Sequence, residues 1–276
     1  MRLLTLHSSL HIVHVLTRQY RIVAIIRGIG ADECAALGVD AEGYVDIVNT
    51  EFQKIALRGI SVLVASGDSG ANGRTDPLCT YGRKPQLKPD FPACSPWVTS
   101  VGATELVNIT DLSDAPAICK GTTLKCAQNG TEQAVSYKRS GFASGGGFSW
   151  YADQPSWQAD AVAKYFATND TTGALPDAAV FNGAGRGFPD ISAVGHNFLI
   201  EVSGSVEPVG GTSVSSPLMG AFFSLLSQLS VRKTGKTLGF LNPFIYQMYA
   251  DEPTIFQGTP SFVYYSSSLS LPTLPR

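Results

Sequence analysis

The chain has 276 residues, 44% of them apolar and 15% charged, with a formal net charge of -2 at pH 7. These values predict a globular protein with one large core. They exclude nucleic acid as a partner, because no cluster of Lys or Arg offers the positive charge that phosphate groups bind, and no stretch of about 18 residues is apolar enough to predict a membrane span.

The first 30 residues form an atypical N-terminal segment. Residues 1–16, MRLLTLHSSLHIVHVL, begin like a signal peptide, with Arg2 before a leucine-rich run. Histidines interrupt that run, however, and no small-residue cleavage site follows it. An ordinary or incomplete N-terminus is therefore the alternative to a signal peptide.

Two elements of a parallel α/β fold come next. Residues 44–58 carry apolar side chains at helical spacing and are followed by Gly59, a typical C-cap residue. Residues 60–66, ISVLVAS, are a short apolar run that predicts a strand buried on both faces. A helix leading into such a strand is half of a parallel α/β unit, and residues 97–104, WVTSVGAT, predict the next strand.

Loops and short elements follow. Residues 105–135 are polar and predict a surface excursion with short irregular strands, and residues 142–157 predict a glycine-rich loop. A short helix is expected at 160–167, and closely spaced short strands with turns at 186–211.

Two helices close the predicted fold. The first runs from Ser213 to about Arg232 and the second from Gly239 to about Tyr249. Residues 258–276 show neither helical period nor clean alternation, so we expect an irregular tail there.

Glycosylation sequons and cysteines bear on the compartment. The sequons begin at Asn108, Asn129 and Asn169 in polar surroundings, which favours the secretory route. In an oxidising compartment, local disulfides are sterically plausible, whereas five reduced thiols are the alternative. The pairs that spacing allows are Cys79 with Cys94 and Cys119 with Cys126, with Cys34 left over. No Cys-x-x-Cys spacing predicts a zinc site.

Ser213 stands at the start of the first of the two closing helices, in the stretch VGGTSVSSP. If the helix begins here, the unpaired N–H groups and the dipole of its first turn can stabilise an oxyanion. Pro217 fits a first turn, and Gly210 and Gly211 leave room for a substrate. The alternative is that Ser213 only caps the helix.

Asp68 follows the predicted buried strand directly, between two glycines of VASGDSGANG. This position lies at the carboxyl end of a parallel strand, where open α/β folds place their binding sites. The alternative is a turn-forming aspartate whose carboxylate caps its own backbone.

A series of motifs resembles the sedolisin family of serine-carboxyl peptidases, which includes the lysosomal tripeptidyl-peptidases. In chain order these are SGDSG at 66–70, SGGGFS at 144–149 before PSWQ at 155–158, FPDISA at 188–193, GGTSVSSP at 210–217 and GFLNP at 239–243. The resemblance extends over residues 31–257. We therefore expect a partial peptidase domain at 31–257, between the N-terminal segment 1–30 and the tail 258–276.

The resemblance implies a subtilisin-like α/β fold, with a parallel sheet flanked by helices and irregular surface β excursions. It assigns Ser213 as the nucleophile and Asp68 as an acid of the oxyanion hole. An aspartate can stabilise an oxyanion only when it is protonated, so the resemblance also implies work at acidic pH.

The resemblance further implies a substrate cleft, a class of substrate and a cellular compartment. The cleft is expected beside Ser66, Gly67, Gly145 and Gly146, whose backbone would pair with an extended peptide. The implied substrates are peptides or proteins, cleaved by an endopeptidase or a tripeptidyl-peptidase. We expect a monomer that is secreted, lysosomal or vacuolar.

The general base and the calcium site of the family have no match here. The family's base is a glutamate, oriented by an aspartate four residues away on a helix well upstream of SGDSG. Glu42 and Asp46 are the only Glu-x-x-x-Asp pair before Asp68, and they stand in the wrong place, on the helix that leads into the strand. No aspartate follows Asp251, so we expect the family's calcium site to be lost and no cofactor.

These departures leave two interpretations open. One is a sedolisin-type serine peptidase that is acid-active in its full-length form, with weak or no activity in this chain alone. The other is a catalytically inactive fragment or pseudoprotease that lacks the Glu/Asp base helix. A conventional subtilisin triad is disfavoured, because His196 and the three histidines near the N-terminus have no suitably spaced aspartate partner.

Overall fold

The structure is a computed structural model that describes residues 21–25, 31–32, 41–72, 80–81, 84–85, 87–107, 131–170 and 175–256. In chain order its strands are β1 (Ile22–Ile25), β2 (Ala31–Asp32), β3 (Ser61–Ala65), β4 (Thr80–Tyr81), β5 (Lys84–Pro85), β6 (Asp90–Phe91), β7 (Thr99–Val107), β8 (Thr131–Ala134), β9 (Gly147–Asp153), β10 (Gly185–Phe188), β11 (Ile191–Val194), β12 (Phe198–Val202) and β13 (Ser205–Val209). Its helices are α1 (Ala41–Leu57), α2 (Tyr137–Ser140), α3 (Ala159–Asp170), α4 (Thr212–Thr234) and α5 (Leu241–Asp251).

A five-stranded sheet forms the centre of the fold. Its strands β1, β3, β7 and β11 lie side by side in that order and are parallel, and β8 pairs antiparallel with the far half of β7. The remaining strands form four two-stranded antiparallel sheets: β2 with β6, β4 with β5, β9 with β10, and β12 with β13. The expected α/β class, with a parallel sheet flanked by helices, is confirmed.

Side chains from both faces of the central sheet are buried, which explains the continuous apolar run of β3. On one face, Val62 and Val64 pack with Val45 of α1 and with Phe188. On the other face, Leu63 packs with residues of β1, α4 and α5. Each buried apolar side chain of this size contributes roughly 1.5–3 kcal/mol, so both helical layers stabilise the sheet.

Helix α4 crosses the sheet and contacts β1, β3, β7 and β11. It approaches β1 closely at Gly220, where an added Cβ would lie 3.0 Å from the Ala24 Cβ. Contrary to the sequence-based expectation, α4 is long and apolar enough, by length and composition, to cross a membrane. Its contacts with the sheet are those of a core helix.

One side of α4 is apolar and exposed to solvent. Leu218, Phe222, Leu225 and Leu229 follow one another at helical spacing on this side, with exposed fractions of 37% to 62%. We call these four residues the outer face of α4.

Most of the predicted elements are confirmed with small shifts in their ends. These are α1, β3, α3, α4, α5 and the four short strands β10 to β13. Strand β7 begins two residues after Trp97 and continues to Val107, and β1 is a strand that the sequence analysis did not assign.

One sequence-based assignment is wrong, and another differs from the structure at its ends. Residues 147–153, expected in a loop, form β9, because the aromatic residues after the glycines favour an extended chain and pair with β10. The first and last residues of the expected surface excursion, Glu105 and Val135, are buried at 3% and 6% exposed, whereas residues 108–130 lie outside the described residues.

Some expectations fall on parts of the chain that the structure does not describe. These are the N-terminal residues 1–20, the tail from 257 onward, the sequons at Asn108 and Asn129, and the cysteines at 34, 79, 119 and 126. Asn169 lies near the end of α3, and Cys94 is buried.

Candidate active site

Two loops at the carboxyl ends of the parallel strands bring Asp68 and Ser213 into one region. Asp68 is the third residue after β3, and Ser213 is the second residue of α4, which follows the β12–β13 hairpin. The chain before α4 is fixed to the sheet, because the Gly211 N–H donates to the Gly195 carbonyl, just after β11, at 2.8 Å. The two predicted catalytic residues therefore lie where the topology places a site.

The Asp68 carboxyl is bonded to the first residue of α4. Its Oδ1 accepts hydrogen bonds from both the N–H and the Oγ–H of Thr212, each at 2.8 Å. Thr212 Oγ1 in turn accepts a hydrogen bond from the Gly67 N–H at 3.2 Å. Asp68 thus caps the backbone of α4 through its Oδ1.

Gly211 precedes α4 and lies against the same carboxyl group. Its φ is +128°, a conformation that favours glycine, and an added Cβ would lie 3.2 Å from Asp68 Oδ2. Gly211 is the N-cap residue, so Ser213 is two positions too far along the helix to be its cap. Ser213 is partly buried in the first turn, where N–H groups and the helix dipole concentrate positive potential.

The glycine-rich loop before β9 pairs with the loop that carries Asp68. The Gly145 N–H donates to the Gly67 carbonyl at 2.6 Å, and the Ala143 N–H donates to the Asp68 carbonyl at 3.3 Å. The side chain of Ser66 is buried, with its Oγ 3.4 Å from Ser144 Oγ.

The four predicted substrate-binding residues, Ser66, Gly67, Gly145 and Gly146, therefore lie together beside Asp68. Of these, Ser66, Gly145 and Gly146 are buried. The Gly67 carbonyl and the Gly145 N–H already bond to each other. Their role in substrate binding stays a prediction.

A buried acid lies close to the chain before α4, and the sequence analysis missed it. Glu105 Oε1 accepts from Arg139 Nε at 2.5 Å, and Oε2 accepts from Ser140 Oγ at 2.8 Å. His196 Nδ1 is 3.5 Å from Glu105 Oε2, and a Cβ on Gly210 would lie 3.6 Å from the His196 ring. The sequence does carry one signal for this cluster: Glu105 is a single charged residue at the end of the apolar run of β7.

The FPDISA motif contributes Asp190 to a buried polar network at the amino end of β7. Arg186 Nη2 and Asp190 Oδ2 are 2.6 Å apart, and both side chains are fully buried. Asp190 also accepts from the Ser100 N–H at 2.7 Å and from the Tyr246 phenol at 2.8 Å. Burial and the charge of Asp190 both raise the pKa of Tyr246, so its phenol remains a donor.

A small apolar cavity of about 20 Å³ lies between the Asp68 loop and α3. Its walls include Ala71, Gly147, Phe148, Tyr165 and Phe181. Burial raises the pKa of Tyr165 to about 12.

The remaining acids that the sequence analysis weighed lie on other surfaces. Glu42 and Asp46 are exposed on α1. Asp251 accepts a hydrogen bond from Gln247 at 2.8 Å, and Glu252 accepts one from Thr254. Within the part of the chain that the structure describes, no three His, Cys, Asp or Glu side chains are grouped so that they could hold a metal ion.

Comparison with known proteins relates this chain to peptidases, although no family model matches the sequence. Physarolisin from Physarum polycephalum is 46% identical over 217 residues, which are 77% of this chain and 37% of physarolisin. Tripeptidyl-peptidase 1 from Canis lupus familiaris is 37% identical over 209 residues, which are 75% of this chain and 31% of that protein. The chain thus spans about a third of the length of these relatives.

A solved structure supports the same relationship at the level of the fold. Pseudomonas sedolisin, a serine-carboxyl proteinase complexed with two molecules of pseudo-iodotyrostatin, matches with a TM-score of 0.56 and 24% identity. The match covers 85% of this chain and 54% of the sedolisin chain. With these relatives, this fold and the order of its motifs, the chain belongs to the sedolisin family of serine-carboxyl peptidases.

Proposed function

We propose that this chain carries the nucleophile, Ser213, and the oxyanion-stabilising acid, Asp68, of a peptidase that cleaves peptides or proteins in acidic solution. The observation that carries the proposal is the pair of hydrogen bonds from Thr212 to Asp68 Oδ1, each of 2.8 Å. They hold an acid beside the first turn of the helix that begins with Thr212 and Ser213.

The geometry of Asp68 supports a defined position for its proton. Oδ1 already accepts two hydrogen bonds from Thr212, so the proton of a neutral carboxyl group belongs on Oδ2. Oδ2 is the oxygen beside Gly211, where the missing Cβ leaves space for a substrate carbonyl. A protonated Oδ2 would donate to the developing oxyanion, whereas an ionised carboxylate would repel it.

Nucleophilic attack then needs a base. Ser213 Oγ would form a bond to the peptide carbonyl carbon while its proton passes to a carboxylate, and the carbonyl oxygen would become the oxyanion that Asp68 stabilises. The family resemblance assigns that base to a glutamate of the Glu/Asp helix. Glu42 and Asp46 do not qualify, since Asp46 lines a cleft near Trp97, at the amino end of β7, whereas Ser213 lies at the carboxyl ends of the strands.

The proposal also covers the compartment of the protein and the way in which it cleaves peptides. The sequons at Asn108, Asn129 and Asn169 support passage through the secretory route to the cell exterior or to a lysosome or vacuole. Endopeptidase and tripeptidyl-peptidase activities both fit the relatives, and we expect this chain alone to turn over peptides weakly or not at all.

A peptide aldehyde labelled with ¹³C at its carbonyl carbon tests the two residues without requiring turnover. Addition of Ser213 Oγ to the aldehyde carbon, with the proton moving to the carbonyl oxygen, gives a tetrahedral hemiacetal with a distinct ¹³C chemical shift. We expect the hemiacetal signal at acidic pH in the parent chain and its loss in Ser213→Ala. Asp68→Ala should weaken the adduct by up to about tenfold, because the hemiacetal oxygen loses one hydrogen-bond partner.

Ser230→Ala is the matched control, because Ser230 lies on the same helix near its other end. It should leave the adduct unchanged. Persistence of the hemiacetal in Ser213→Ala would refute the assignment of the nucleophile. A folded parent chain that forms no adduct would favour the alternative, an inactive member of the family.

A further inference from the structure

A second candidate site lies away from Ser213, and it extends the function beyond the proposed peptidase site. An open cleft of about 550 Å³ separates α1 from the chain around the end of β9. Trp97, in its wall, comes two residues before β7 begins, whereas Asp68 comes three residues after β3 ends. Because β3 and β7 are parallel, the cleft lies toward the amino ends of the strands and the candidate active site at their carboxyl ends.

The cleft is acidic. Asp46 and Asp153 line it from opposite sides, and Lys, Arg and His are absent from the described residues that form its wall. Neither carboxylate makes an ion pair or a side-chain hydrogen bond with a residue that the structure describes. Two carboxylates without a counter-ion attract a cation and repel an anion.

The cleft is also aromatic, and its indoles are held in place. Trp97 and Trp157 meet edge to face, with ring centroids 6.0 Å apart, and both pack against Phe240. Tyr151 lines the cleft as well. Aromatic faces bind cations, and the planar guanidinium group stacks on them more readily than an ammonium group does.

A buried hydrogen-bond acceptor adds to the two carboxylates. Asn49 lines the cleft, and its Oδ1 is shielded from solvent without a hydrogen-bond partner in the described part of the chain. Buried acceptors of this kind are ordinarily satisfied, and a guanidinium group brings five donors. The acidic charge, the aromatic faces and the unpaired acceptor of Asn49 therefore all favour a guanidinium group as the ligand.

We infer that this cleft binds the arginine side chain of a peptide. The guanidinium group lies between the aromatic rings and the carboxylates of Asp46 and Asp153, and a turn of the Asn49 side chain toward the cleft brings its Oδ1 to a guanidinium donor. Aromatic residues and carboxylates also bind neutral sugars. A neutral sugar, however, gains no attraction from the net negative charge of the cleft.

Intrinsic fluorescence offers a direct measurement, because two of the three tryptophans of the chain line the cleft. The probes are acetyl-Gly-Arg-Gly-amide, the same peptide with uncharged citrulline in place of arginine, and maltotriose. We expect a saturable change with the arginine peptide and at least about tenfold weaker binding of the citrulline peptide, the value of one charge-assisted hydrogen bond.

Variants test whether the arginine peptide binds in this cleft. The double variant Asp46→Asn/Asp153→Asn should lose at least about tenfold in affinity, and it should keep the fold because both side chains are exposed. Asp160→Asn, an exposed acid on α3 outside the cleft, should leave the affinity unchanged. Trp150→Phe should retain the fluorescence change, because the Trp150 indole bonds to the Leu87 carbonyl and does not line the cleft.

Three outcomes would overturn the inference. They are equal binding of the arginine and citrulline peptides, saturable binding of maltotriose that survives in the double variant, and no saturable change with the arginine peptide. None of them bears on Ser213 or Asp68, so failure here leaves the proposed peptidase site as it stands.

Discussion

Replacing Asp190 by asparagine tests whether the FPDISA motif stabilises the fold through its buried ion pair. The substitution keeps the size of the side chain and removes its charge. Arg186 would then remain fully buried, with the carbonyl groups of Ser95, Val98 and Gly187 as acceptors and no counter-ion. Burial alone lowers the pKa of Arg186, and the charge of Asp190 outweighs it, so the pKa is raised overall.

Loss of one partner of a buried ion pair costs about 3–5 kcal/mol, because the remaining charge is left without compensation. This is a large part of the roughly 5–15 kcal/mol by which a domain is stable. We therefore expect Asp190→Asn to lower the free energy of unfolding by about 3–5 kcal/mol, measured by urea denaturation at neutral pH with far-UV circular dichroism. The m-value should not change, since the same surface is exposed on unfolding.

Two further variants complete this measurement. Asp160→Asn, on the exposed surface of α3, should change stability by less than about 0.5 kcal/mol. The double variant Arg186→Met/Asp190→Asn should lose less than the sum of its single changes, because both remove the same pair. A cost below about 1 kcal/mol for Asp190→Asn would refute the reasoning.

Two other predictions concern the residues around the candidate active site. Burial raises the pKa of Tyr165 to about 12, whereas a tyrosine in the unfolded chain ionises near pH 10. The stability from the neutral phenol is therefore complete below about pH 10 and is lost as the pH rises through about 12. Tyr165→Phe should reduce the alkaline loss by about 3 kcal/mol at most in urea denaturation. An identical alkaline loss in both proteins would contradict this. Gly145→Ala should cost more than about 3 kcal/mol in the same assay, since its Cβ would lie 1.9 Å from the Ser66 carbonyl oxygen. Gly141→Ala should cost only about 1 kcal/mol, because its Cβ meets nothing within 4 Å and only its φ of +76° is unfavourable; equal costs would contradict the steric argument.

The positions of Asp68 and Ser213 were predictable from the sequence, because the topology of parallel strands dictates where chain segments after them meet. An apolar run followed by glycines marks the end of β3, and a glycine pair before an apolar helix marks the start of α4. The contact between Asp68 and Thr212 was not predictable, because it depends on how β3 and α4 pack.

The errors have the same origin. Glycines at 145–147 indicated a loop, yet the pairing of β9 with β10 outweighed that local signal. Glu105 was assigned to a surface excursion because residues 105–135 are polar, whereas the approach of Arg139, Ser140 and His196 provides partners for its buried carboxylate. Partners that are distant in sequence decided both cases.

The outer face of α4 has a practical consequence for every measurement proposed above. Four exposed apolar side chains on one helix favour contact between copies of the chain as protein concentration rises. An unfolding midpoint or a binding curve would then depend on the amount of protein in the cuvette. A dilution series is therefore the first control to run, and values that agree across it are the ones to interpret.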